Sequence, residues 1–134
     1  MRAKQFIVEG PQENANVVEM FKKFLPLAME ILKLDSLPKM VFVTKVDDTD
    51  QPTFGLYSNG NKELHVALTG RHPNDILRTV AHELTHYKQD INNELNNDSG
   101  ETGSEHENEA TATAGIVMRN FNKRYPEYLK SKPL

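Results

Sequence analysis

The 134-residue chain contains no cysteine. That removes disulfide frameworks, cysteine nucleophiles and thiolate metal sites together, and it fits a reducing compartment. Long apolar runs are missing too. The opening stretch MRAKQFIVEGPQENANVVEM has two early basic residues but no apolar segment of signal-peptide length. Nowhere does the chain approach the roughly 20 apolar residues of a membrane span. Nor does charge of one sign accumulate: 16 Lys and Arg against 19 Asp and Glu leave a formal charge of −3. Without a basic stripe or an Arg-rich arm, neither nucleic acid nor a membrane is the expected partner. The cytoplasm is the expected location. A chain of this length buries about two thirds of its unfolded surface and needs no covalent staple.

What is present reads as one α+β domain over residues 13–125, with tails at 1–12 and 126–134. Val17, Val18, Phe21, Phe24, Leu25, Ala28, Ile31 and Leu32 follow the helical period, with a kink or break expected at Pro26. Asn16 and Glu19 have capping-box spacing. Lys39–Val46 reads as a strand, and TFGLYS and KELHVALT flank an Asn-Gly turn signal as a hairpin. GRHPND opens a second helix whose apolar stripe is Ile76, Leu77, Val80, Leu84, Tyr87 and Ile91. The Asn- and Gly-rich NNELNNDSGETGSE reads as a mobile connector or lid, and SEHENEATATAGIVMRNFNKRY as a last helix that Pro126 stops. The expected sheet is small and mostly antiparallel, packed on the N-terminal helix and the two later ones.

The chemistry lies in TVAHELTHYKQ, residues 79–89. Residues four apart on a helix are about 40° round the axis and roughly 6 Å along it, so His82 and His86 can converge on one ion. Glu83 lies about 100° further round, poorly placed as a ligand but well placed to reach a water beside them. Catalytic zinc takes three protein ligands as a rule, so a third must come from elsewhere. A longer motif with a further histidine is excluded, because Gln89 and Asn92 stand where its glycine and histidine would be. The candidates are Glu105, His106, Glu107 and Glu109. Glu109 leads, because the small residues from Ala110 to Gly115 let a ligand helix pack close to another backbone. His106 comes second, and Glu105 and His106 share the face of Glu109 as rivals or outer partners.

HELTHY followed by NEATATAGIVM resembles the zincin-like metallopeptidases in their gluzincin arrangement, and the second stretch is similar to that of small ImmA/IrrE-type enzymes. The resemblance covers about Leu64 to Met118. It implies a minimal zincin-like metalloprotease domain with His82, His86 and Glu109 as zinc ligands and Glu83 as the base. It also implies that the strand before the motif helix borders the cleft. The function expected from it is a zinc-dependent endopeptidase. A metal-binding protein without turnover is the alternative in another class. An SprT-like protease with His106 as third ligand is a second.

A peptide substrate is expected to add as a strand along residues 62–69. His65, Tyr57 and His72 are candidate oxyanion or substrate contacts, with Tyr57 and Tyr87 also readable as packing residues. Either terminal tail is short enough to fold over a cleft and hold the protein latent.

Overall fold

The computed structural model describes residues 6–8, 14–43, 55–93 and 104–133, without the side chains of 6–8 and 14–16. Helical spacing of apolar residues produces the first long element. Helix α1 spans Asn14–Leu32 and runs unbroken through Pro26, where the sequence pattern predicts a kink or a break. Pro26 and Lys22 both lie on the exposed side, so the carbonyl that loses its donor there faces water. Val17, Phe21, Phe24, Leu25, Ala28 and Leu32 are buried on the opposite side. The helix closes with Lys33 in the left-handed region (φ 58°). There Leu34 N donates to Met29 O at 2.9 Å and Lys33 N to Glu30 O at 3.3 Å, the paired bonds of a Schellman end.

Four strands follow the order β1-β2-β4-β3. Strand β1 (Phe6–Val8) pairs parallel with β2 (Lys39–Val43), and β2 pairs parallel with β4 (Glu63–Ala67). Strand β3 (Gly55–Ser58) pairs antiparallel with β4, Tyr57 opposite Leu64. The expected mostly antiparallel sheet is therefore corrected to a mixed one with two parallel pairings. A hairpin announces itself through its turn residues, whereas parallel strands meet by crossovers that leave no local signature. The hairpin turn also differs in detail, since its left-handed position is Lys62 (φ 54°) and not Gly60.

Met40, Phe42, Leu64 and Val66 join the helices in one core. Helix α2 (Pro73–Ile91) starts at His72, whose Nδ1 accepts from Asn74 N at 3.0 Å, and buries Ile76, Leu77, Val80, Leu84 and Tyr87. Helix α3 (Glu105–Arg124) starts at Ser104, whose Oγ accepts from Glu107 N at 3.1 Å. It buries Ala110, Ala114, Val117, Met118 and Phe121 against the other elements. A 3₁₀ turn, Pro126–Lys130, then brings Tyr128 onto Phe121, with ring centroids 5.6 Å apart. Among the described residues no helix is long and apolar enough to cross a membrane. Residues 94–103 of the expected connector or lid (92–105), residues 44–46 of the expected strand and the Asn16 side chain lie outside the described residues.

Candidate metal centre

Helix α2 presents His82 and His86 one turn apart, their ring centroids 5.0 Å from each other. The first turn of α3 delivers Glu107 between them. Its Oε1 lies 2.5 Å from His82 Nε2 and its Oε2 3.1 Å from His86 Nε2, one carboxylate oxygen for each imidazole. Ligand atoms of these three side chains all lie within 4.8 Å of one another. The expected third member, Glu109, is not the carboxylate that meets the histidines. Its Oε1 accepts instead from Gln89 Nε2 at 2.8 Å.

The reason is helix phase. Ala110, Ala114, Val117, Met118 and Phe121 form the buried stripe of α3, and stepping back three residues from Ala110, or seven from Ala114, reaches Glu107. Glu109 stands about 100° off that line. The signal was therefore present in the apolar pattern of α3 and absent from the run of small residues that favoured Glu109. Glu105 and His106 are not in the cluster either. The His106 backbone oxygen accepts from Gln89 Nε2 at 3.0 Å.

Glu83 sits beside the cluster with its side chain 14% exposed, Oε2 4.0 Å from His82 Nε2. Burial pushes its carboxyl above the usual range, against the opposing pull of the two imidazoles and of the Tyr57 backbone N–H, which donates to it. That bond requires β3 to run close to α2, and Gly55 permits it. A Cβ on Gly55 would lie 2.4 Å from Thr79 Cγ2 and 3.5 Å from Glu83 Cγ. Thr79 is held in turn by its own hydroxyl, which donates to Asp75 O at 3.1 Å and accepts from Arg71 Nη2 at 2.5 Å. Arg71 is buried and also donates to Ala67 O at 2.8 Å, tying the end of β4 to α2. Neither Gly55 nor Arg71 carries a local sequence cue for this task.

The other expected contacts lie elsewhere. Tyr57 is next to Glu83 through its backbone, but its hydroxyl donates to Asp90 Oδ2 at 2.6 Å. Burial, and then that hydrogen bond, push the phenol well above its ordinary value. The side chain thus pins β3 to the end of α2, where the Lys62 ammonium also meets Asp90. His65 stands on the sheet face away from the core, 3.1 Å from Glu63 Oε2, because it alternates with buried Leu64 and Val66. His72 caps α2 ten residues before His82, about 15 Å along the axis.

The strand expected to receive substrate is interior: β4 has β2 on one side and β3 on the other. Among the described residues β3 pairs with β4 alone, so the open edge beside Glu83 belongs to β3. The described terminal segments are also remote. Strand β1 is at the opposite edge of the sheet from β3. The 3₁₀ turn follows Tyr125, about 27 Å along α3 from Glu107.

Behind the cluster is a residue that the sequence pattern does not mark. Gln89 is 1% exposed. Its Oε1 lies 2.8 Å from His86 Nδ1, and its Nε2 donates to Glu109 and to the His106 carbonyl. The donor set suits zinc, since two imidazoles and a carboxylate are its usual catalytic ligands. Tetrahedral ligation at zinc's usual bond lengths puts donor atoms about 3.3 Å apart; Glu107 lies 3.1 Å from the His86 nitrogen, close to that spacing, and 2.5 Å, tighter than it, from that of His82. Compared with protein-family models, curated proteins and solved structures, the chain matches none.

Proposed function

We propose that the chain is a zinc-dependent peptidase in which His82, His86 and Glu107 hold the metal and Glu83 is the general base. The observation that carries this reading is the convergence of three donor side chains from two helices within 4.8 Å, with a buried carboxylate at their side. Zinc bound there would supply Lewis acidity toward a carbonyl and toward water. The protein's own part is to hold and move a proton. Glu83, raised by burial, is a stronger base than an exposed glutamate, and it can take a proton from water and return it to a leaving amine. The Tyr57 amide fixes the carboxylate's direction, so it waits in one orientation.

Peptide fits as a substrate class because of the strand beside Glu83. Extended backbone adding to the open edge of β3 would pass that carboxylate, using main-chain hydrogen bonds for affinity. This replaces the interior strand β4 as the docking edge.

The test combines zinc analysis with cleavage of an unstructured protein by wild type and Glu83→Gln. About one zinc per chain in both, with cleavage lowered about 10²–10⁴-fold in the variant, is the expected result. Equal cleavage by the two proteins would remove Glu83 as the base. Zinc binding with no cleavage by wild type would leave a metal-binding protein without turnover.

A further inference from the structure

Gln89 occupies an unusual place for a glutamine. It is 1% exposed, on the motif helix, three residues beyond His86, and both its amide oxygen and its amide nitrogen have partners. An amide can point either way round, and the two orientations present opposite partners to a neighbouring imidazole. Here two acceptors decide. The carboxylate of Glu109 at 2.8 Å and the His106 carbonyl at 3.0 Å both need donors, and the NH2 group supplies them. The carbonyl oxygen must then face His86 Nδ1, 2.8 Å away. A carbonyl only accepts, so Nδ1 carries a proton, and Nε2, 3.1 Å from a Glu107 oxygen, is the nitrogen left to bind a metal.

Resting on the metal-site reading above, we propose that Gln89 is the positioning residue of that site. Clamped by Glu109 and the His106 carbonyl, it commits His86 to the tautomer whose Nε2 can bind a metal. Glu109 therefore acts on the site through an amide and not as a ligand. A flipped Gln89 would donate to Nδ1 and favour the proton on Nε2, the wrong nitrogen. Partners of this kind change metal affinity about 10–100-fold when removed. Because Gln89 also bridges α2 and α3, packing alone could account for a loss on truncation, and charge exchange separates the two roles. In Gln89→Glu the carboxylate still accepts from His86 but faces Glu109 at hydrogen-bond distance. In Gln89→Glu with Glu109→Gln, the new amide donates to the new carboxylate, so the repulsion that would turn it from His86 is removed and the acceptor toward His86 is kept.

The experiment is zinc affinity by chelator competition for the full chain and its variants, with the fold of each checked by circular dichroism. Gln89→Leu and Gln89→Glu should bind about 10–100-fold more weakly, Glu109→Gln within a few-fold of wild type, and the exchanged pair within about tenfold of it. Zinc loss in Glu109→Gln as complete as in Glu107→Ala, wild-type affinity in Gln89→Leu, or no recovery in the exchanged pair would each overturn the assignment. A second readout needs no metal. In Glu107→Ala at about pH 9, where imidazole is neutral, ¹⁵N shifts of His86 should show the proton on Nδ1, and adding Gln89→Leu should move it toward Nε2. If wild type binds no zinc, the metal reading fails and the tautomer decides alone: a proton on Nε2 with Gln89 intact overturns the inference.

Discussion

The first turn of α3 carries Glu107 into a cluster of imidazoles, an amide and carboxylates, while its last turns carry Phe121 and Tyr125 into aromatic rings. At that far end Phe121 meets Phe24 at 5.5 Å, Tyr125 at 5.1 Å and Tyr128 at 5.6 Å between centroids. Lys23 lies over the Tyr128 ring, 5.4 Å from its centroid, and closes the cluster toward solvent. Both ends join α3 to the rest of the fold, but by different physics. Apolar contact has no direction, so what matters at the aromatic end is filled volume. At the polar end each group is aimed by another: Glu109 aims Gln89, Gln89 aims His86, and the Tyr57 amide aims Glu83. Substitutions that keep volume should be mild at one end and severe at the other.

Breaking the aromatic end should produce the largest change. Phe121 is fully buried, and Phe121→Ala should cost about 3–5 kcal/mol in urea unfolding, while the chains that remain folded keep their zinc. Phe121→Leu should recover most of that loss. If Phe121→Ala instead removed zinc from folded protein, the two ends of α3 would not be independent. The matching change at the polar end conserves volume: Glu107→Gln should weaken zinc binding at least about a hundredfold, beyond what a non-ligand partner costs, without a comparable fall in the stability of the metal-free protein. Chelator competition and unfolding on the same samples read both quantities.

Gly55→Ala tests a place where volume and direction meet. The new methyl would be 2.4 Å from Thr79 Cγ2, so β3 or the threonine must shift at a cost of about 1–3 kcal/mol. Cleavage should fall as the Tyr57 amide leaves Glu83, with zinc retained. Adding Thr79→Ser removes that methyl and keeps the hydroxyl that Arg71 holds, so it should restore both stability and turnover. No recovery in the double variant would show that the close approach of β3 is set elsewhere.

The smallest effect concerns the hairpin's outer tie. Burial raises the Asp90 carboxyl, but hydrogen bonds from Lys62 and Tyr57 outweigh it and hold it below its ordinary range. A depressed carboxyl adds stability above its unfolded value of about 4 and loses it as pH falls through the lower folded value. Asp90→Asn should therefore cost under about 1 kcal/mol near neutral pH, since the lysine partner is half exposed. The two proteins should converge in stability below about pH 4. A gap that persisted there would mean that Asp90 acts through packing and not through its charge.

Much of this architecture is local and was legible residue by residue. The α2 stripe from Ile76 to Tyr87 (though not Ile91, which is 43% exposed), the helix start at His72–Pro73, the hairpin around Asn59–Asn61 and the stop at Pro126 each follow from neighbours within a few positions. So does the pairing of His82 with His86, because a helix of 3.6 residues per turn brings them to one face whatever surrounds it. Other features were not legible. Pro26 points to a break only until its carbonyl partner is known to face water. Strand β4 reads as an edge until β2 is found beside it. Gln89 looks like a polar residue one turn past a motif, yet it is buried because α3 crosses there.

The sequence by itself determined the two histidines, the glutamate between them and the helix that carries them, because period and capping act over a few residues. Only the tertiary structure decided which carboxylate joins them. Glu105 and Glu109 lie about 40° apart round the helix, and Glu107 lies about 160° from both. The packing of Ala110 and Ala114 against the core sets that rotation, and with it Glu107 turns to His82 and His86 while Glu109 is left to hold Gln89.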